Sequence, residues 1–503
     1  MLEKIKNFFN KYYHFFLILI PTIIISKNYQ RLDNDAWFIL NTGRYLLKNG
    51  FFYIDPFTIH EGLKMIVQQW LTDVIYWSVF HYLGNIGFFI FLTALTYLML
   101  YVHYKLVYLV SEKKLLSTIF TILCGSLWIY YMTSRPQMFT YLILLTELLV
   151  LEKYIKTNNK KVLIFLPILS FLQINLHASV WFIQFLVIGT FIVNGLVPVK
   201  YRKEDFKVLP IIIVFIIMFI VGFINPYFYK AVFYLYYSYG SVIINNNITE
   251  MRLSTFGTIQ VKQILLLVIS FIFLTNFLKK YKVELRHYFI FSGLLIFAFM
   301  HNKSTIYFLL VSLYVLAYGL KDVQIKIKLK KLRKYINKKN IEKAITVIII
   351  ISSIGAFIAT PIVLYKNIKK IDYHNDYEGA MDYLLEHYNA KDVVLYADYN
   401  NGGYPEFRGV KSYIDPRAEV FLKKFNGKED ILEEFFNRKS TTVPYIFYKY
   451  KFTHLLVSKG DKDILMYLYN HPEQYELVYT QYKKYPNGAN LKIGYLYARK
   501  DNS

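Results

Sequence analysis

Apolar residues in this chain run in long blocks separated by short polar connections. A helix on a water-exposed surface keeps one apolar stripe and one polar face, so blocks that are apolar on every side point to helices inside a bilayer. Crossing the hydrocarbon takes roughly 20 apolar residues, with about 17–25 tolerated. Eleven blocks approach that requirement: 10–26, 86–104, 115–132, 137–152, 162–176, 178–197, 208–225, 262–278, 287–301, 304–320 and 344–365. The pattern predicts a polytopic α-helical membrane protein with about eleven transmembrane helices. Two segments are too long to be simple turns, residues 27–85 and everything after about 366. In the first, the amphipathic stretch Gln68 to Leu83 is expected to lie in the interface, with Trp70 and Trp77 at headgroup depth. In the second, β-prone runs at 393–397, 453–458 and 475–479 alternate with helical stretches at 377–388 and 461–470. That alternation predicts a C-terminal α/β domain. The expected division is therefore a membrane domain over 1–365, with a long first external loop at 27–85, and an α/β domain over 366–503.

Composition agrees with this reading: 55% of the residues are hydrophobic and 18% charged, against about 25% charged in ordinary globular domains. The net charge of +25 would raise the question of nucleic acid in a soluble protein. Here the basic residues cluster in alternate connections: Lys105, Lys113 and Lys114; Lys153, Lys156, Lys160 and Lys161; Lys200, Arg202, Lys203 and Lys207; Lys279, Lys280, Lys282 and Arg286; and the segment 321–343. The opposite short connections hold little beyond Arg135, Lys230, Arg252 and Lys303. By the positive-inside bias the charge is a topology signal, and no nucleic-acid partner is expected. The N-terminus, with Lys4, Lys6 and Lys11 before an apolar run and no small-residue cleavage site, reads as an uncleaved cytoplasmic signal anchor. The expected location is a plasma membrane, with the C-terminal domain outside the cytoplasm. Cys124 alone excludes an intrachain disulfide and any multi-cysteine metal site.

Candidate chemistry gathers on the side opposite the basic clusters. It comprises Asp33 and Asp35 in LDNDAWF, Asp55 in IDPF, Arg135 in SRPQ, Asn175 and His177 in INLH, Asn225 in INPY, Glu250 and Arg252 in ITEMR, and His301 and Lys303 in MHNK. Two carboxylates two residues apart could supply a general base or take part in a divalent-cation site, while Asp33 equally suits the cap of a following helix. Arg135, His177, Arg252, His301 and Lys303 could together receive a phosphate or pyrophosphate, or each could snorkel at the interface. His177 has no metal partner at helical spacing, which argues against zinc. The Gly402-Gly403 pair in YNNGGYPEF permits a tight turn, without the following Lys-Ser/Thr helix of a phosphate loop.

These motifs resemble a known arrangement. DNDAWFILNTGR, followed by IDPFT and QQWL, looks like the N-terminal region of bacterial multi-pass proteins grouped with the GT-C glycosyltransferases, which read D-x-D-x-W-W-H-x-x-x-G-R, then DPFS, then EWL. Phe38, Ile39 and Gln69 depart from that pattern. SRPQMFT, INLHASVW, INPY, ITEMRLSTF, YNNGGYPEF and YIDPRAEVF extend the resemblance along most of the chain. It implies transfer of a sugar from a polyprenyl-phosphate donor to an acceptor outside the cytoplasm, be it glycan, lipid or protein. Asp35 or Asp33 would be the general base and Glu250 a second acidic group. Arg135, Arg252, Lys303 and His301 would bind the donor phosphate, and Trp37, Asn175 and His177 would line the cavity. A divalent cation is compatible with these residues. The rival expectations are a transporter or flippase of a lipid-linked glycan, and a non-catalytic envelope scaffold.

Overall fold

The computed structural model describes residues 2–202, 204–238, 240–278, 280–323, 338–485 and 488–500. The chain is mostly helical, with a small C-terminal sheet, and forms two compact units. The first comprises Met1–Gln30, Asn85–Asn225 and Ile248–Ile371; the second comprises Arg31–Gly84, Pro226–Asn247 and Asp372–Ser503.

In the first unit every expected apolar block carries a helix. Five helical segments are long and apolar enough to cross a membrane: Asn7–Gln30, Trp70–Ser111, Ala178–Leu196, Ile259–Phe277 and Lys343–Ile368. Lys114–Trp128, Leu209–Val221 and Leu285–Met300 are shorter apolar helices. Trp70–Ser111 is not continuous, because Gly84 adopts φ 64° and ψ −169° and separates the amphipathic stretch from the apolar one. The helix Thr305–Gly319 is buried along its whole length and stands at the centre of the unit. It packs on Leu285–Met300, Lys114–Trp128 and Ile259–Phe277, while Leu2–Ile25 packs on Lys338–Ile368 and Lys114–Trp128. Buried hydroxyls return to their own helices: Thr22 donates to the carbonyl of Ile18, Thr93 to Phe89 and Thr96 to Leu92. This satisfies groups that lipid would leave unpaired. Most of the expected basic segment 321–343 lies outside the described residues.

The second unit is built on a four-stranded sheet of β1 (Leu395–Ala397), β2 (His454–Ser458), β3 (Tyr475–Lys484) and β4 (Asn490–Arg499), in the order β1-β2-β4-β3. β1 runs parallel to β2, and the other pairs are antiparallel. Helix Glu378–His387 covers the sheet through Ala380, Met381 and Leu384. Residues from the first long loop join the same body. The helix Asn34–Asn49 places Trp37 in the core formed by Met381, Leu384, Leu395 and Tyr404. The 226–247 segment is also part of this unit: Tyr227 donates to the carbonyl of Phe52 at 3.0 Å, and the Tyr234 hydroxyl bonds Glu419.

Candidate functional site

In the first unit the polar groups collect at opposite ends of the helices. Helix Gln137–Thr157 begins beside Arg135, whose Nη1 donates to both carboxylate oxygens of Glu250 at 2.9 Å. The segments around Glu250 and His301 are zipped together: the Asn302 amide donates to the Arg252 carbonyl at 3.0 Å, and His301 Nδ1 lies 2.8 Å from the Met251 carbonyl. His177, at the end of Phe165–Leu176, is buried and bonds Thr140 through Nδ1 at 2.9 Å. Burial first, and the charge of Lys303 second, pull its pKa down to about 3, so the ring is neutral. Lys303 is thus electrostatically close to His177. Asn175 is buried, and its amide donates to the carbonyls of Phe171 and Ile224 at 2.8 and 3.1 Å. Asn175 and His177 are therefore held within the packing. Arg135 is partly accessible, and Glu250, Arg252 and Lys303 are exposed.

At the opposite helix ends is a network that the sequence reading missed. Arg286, which the sequence sets among the topology-setting loop cations, is fully buried. It donates to Glu152 from Nε at 3.0 Å and from Nη2 at 2.9 Å, and its Nη2 is 2.9 Å from Glu204. Tyr314 donates to Glu152 at 2.7 Å and Tyr318 to Glu204 at 2.8 Å. The network ties the ends of three helices to the connection that carries Glu204, with paired charges as burial demands. Glu147, also fully buried, stands midway along Gln137–Thr157 beside Gln184.

Asp33, Asp35 and Trp37 belong to the second unit. Asp33 caps helix Asn34–Asn49, accepting from the Ala36 amide at 3.0 Å, so its carboxylate has the structural task that Asp commonly performs there. Asp35 follows in the first turn and is partly accessible. Trp37, given above as a cavity-lining candidate, packs in the hydrophobic core of this unit. It is 5% exposed and meets the Tyr404 ring edge-on at 4.8 Å, because it shares the buried helix face with Ala36 and Leu40. The YNNGGY turn abuts the acidic turn directly. A side chain at Gly403 would meet the Phe38 amide nitrogen at 3.4 Å, and one at Gly402 would lie 1.8 Å from the Ile414 carbonyl oxygen.

Two I-D-P tripeptides, 54–56 and 414–416, converge on one buried guanidinium. Arg417 donates to Asp55 at 2.7 Å, to both oxygens of Asp415 and, at 3.4 Å, to Glu406. Asp55 also accepts from the Thr58 amide and hydroxyl, and Glu406 from Ser412 at 2.6 Å. Burial, then the neighbouring charge of Asp415, pushes the Glu406 carboxyl well above its usual range despite Arg417. Among the described residues no group of three or more His, Cys, Asp or Glu side chains is arranged to hold a metal ion.

This architecture has solved counterparts. The oligosaccharyltransferase AglB from Archaeoglobus fulgidus, in complex with an inhibitory peptide and a dolichol-phosphate, matches 98% of this chain and 75% of its own, with TM-score 0.60 and 12% identity. The fold of the chain is similar to that of this archaeal protein. The apo form of the A. fulgidus enzyme matches 96% of the chain and 74% of its own at TM-score 0.60 and 12% identity. A form tethered to an acceptor peptide containing the NVT sequon matches 97% and 74% at TM-score 0.59 and 12% identity. The likeness agrees with the polytopic helical architecture with a C-terminal α/β domain expected from the sequence. No protein-family model and no curated protein sequence matches the chain.

Proposed function

We propose that this membrane protein is a glycosyltransferase that moves a sugar from a polyprenyl-phosphate donor to an acceptor outside the cytoplasm. The observation that carries the reading is the collection of Arg135, Arg252, His301 and Lys303 with Glu250 at one set of helix ends, in a chain whose fold is similar to that of an archaeal oligosaccharyltransferase. That neighbour was captured with a dolichol-phosphate, and another with an acceptor peptide. In this reading the N-terminus is cytoplasmic, and the 366–503 domain faces outward from a plasma membrane.

The lipid phosphate is received by the basic group, and Glu250 keeps Arg135 extended until that phosphate replaces it. Asp35 takes the proton of the acceptor as its oxygen or nitrogen attacks C1, and the lipid phosphate leaves with the bonding electrons. The Asp33 carboxylate also caps its helix. A single displacement inverts the anomeric centre. In membranes given a radiolabelled polyprenyl-phosphate sugar, Asp35→Asn should abolish transfer at unchanged protein level, and Asp33→Asn should reduce it less. Full transfer by both variants would remove the aspartates from the mechanism.

A second reading, movement of a lipid-linked glycan across the bilayer, is favoured by Glu147, a carboxyl buried midway along a membrane helix. Glu147→Gln separates the two: it should leave sugar transfer intact and would stop a flippase coupled to that carboxyl.

A further inference from the structure

In the second unit a cavity of about 530 Å³ opens between helix Asn34–Asn49, the 56–57 turn and residues 406–411. Its volume falls in the range of small-ligand sites. Arg44, Lys48 and Lys411 line it, and none of the three has an acidic partner among the described residues. Arg44 is fixed: its Nη2 donates to Asn41 Oδ1 at 2.7 Å and to the Phe407 carbonyl at 2.6 Å, and its guanidinium lies over the Phe407 and Trp77 rings. Three of its donors remain without a protein acceptor. Asn41, 4% exposed, also lines the cavity, and its amide nitrogen is buried without a partner among the described residues. Native proteins rarely leave such a group unpaired. Tyr45 and Phe57 add aromatic surface, packed edge to face at 5.3 Å. The acidic residue in the wall, Glu406, is turned into the bonds with Ser412 and Arg417.

We propose that this cavity binds an anionic saccharide, with Arg44, Lys48 and Lys411 receiving its carboxylate or phosphate, Asn41 a hydroxyl, and the aromatic rings the sugar's C–H face. The site lacks the long apolar lining that a lipid tail needs, and an uncharged sugar would leave three cations unanswered. Calling this saccharide the acceptor rests on the transferase reading; its binding does not.

The test is equilibrium binding to the full chain in detergent, without donor lipid. The probes are an oligogalacturonate of four to six units, its fully methyl-esterified form, and glucose 6-phosphate with inorganic phosphate as competitor. The expected result is saturable binding of the oligogalacturonate or the sugar phosphate that weakens with added salt, at least about tenfold tighter than the ester. Lys48→Gln/Lys411→Gln, changes at exposed positions, should lower that affinity at least about tenfold with an unchanged melting curve. Preference for the oligogalacturonate assigns the anion to a uronic acid, and preference for glucose 6-phosphate, with displacement by phosphate, to a phosphosugar. Equal binding of the ester, no saturable binding of either anion, or full affinity in the double variant would overturn the proposal. A chain that binds the anion but transfers no sugar would keep the site and refute the transferase reading.

Discussion

Replacing Arg417 by Ala would leave three carboxyl groups, Asp55, Asp415 and Glu406, buried around the space its guanidinium filled. All three are almost completely shielded from solvent, so water cannot take over the lost bonds. Removing one partner of a buried ion pair costs about 3–5 kcal/mol, chiefly because the remaining charge is uncompensated. In a unit of about 200 residues, 1 kcal/mol moves the melting temperature by about 2–4 °C, so a fall of about 6–20 °C is expected. Intrinsic fluorescence of detergent-solubilised protein follows it, since Trp37, Trp70 and Trp77 lie in this unit and Trp128 and Trp181 in the other. Limited proteolysis then locates the loosened region. Asp55→Asn supplies the internal control: added to Arg417→Ala it should cost far less than in the wild-type background, because that carboxylate is already unpaired. A melting shift under about 3 °C, or strictly additive losses, would show that the cluster does not hold the two I-D-P segments together.

Glu406 holds its proton to a higher pH in the folded than in the unfolded chain, so its contribution to stability falls as pH rises above about 4.5 toward the folded value. The melting temperature of Glu406→Gln relative to wild type should therefore increase from about pH 5 to pH 8; a constant difference would contradict the raised pKa. His177, drawn down to about 3, has the opposite effect. The folded ring stays neutral while the unfolded one protonates below about 6.5, so stability is lost as pH falls, by about 2 kcal/mol at pH 5. His177→Gln should remove that acid sensitivity in a melting series, and an unchanged acid slope would locate it elsewhere. Gly402→Ala should destabilise the second unit by about 1–3 kcal/mol, because the added carbon collides with the Ile414 carbonyl; wild-type melting would refute that packing.

The helices were legible because length and apolarity of a block are local properties of sequence. The cap at Asp33 was legible for the same reason, as a short polar side chain just before an apolar-periodic run. Strand β4 was missed although Gly494, Leu496 and Ala498 alternate inward, since polar and aromatic residues between them dilute the period. Arg286 was misread as a loop cation because its acidic partners, Glu152 and Glu204, are 134 and 82 positions away and no local pattern announces them. The convergence on Arg417 had one visible signal, the repeated I-D-P tripeptide, but which charges meet is decided by tertiary packing. The membership of residues 31–84 and 226–247 in one body with the C-terminal sheet was equally invisible, because packing between distant segments leaves no periodicity along the chain.

The central claim is chemical, that the sugar leaves its lipid. Purified protein in liposomes carrying a polyprenyl-phosphate sugar, labelled separately in sugar and lipid, with a mixture of candidate acceptors outside, tests it most directly. The expected result is protein-dependent release of free polyprenyl phosphate together with a water-accessible labelled glycan, both lost in Asp35→Asn. Intact lipid-linked sugar crossing the bilayer with both labels still joined would contradict it.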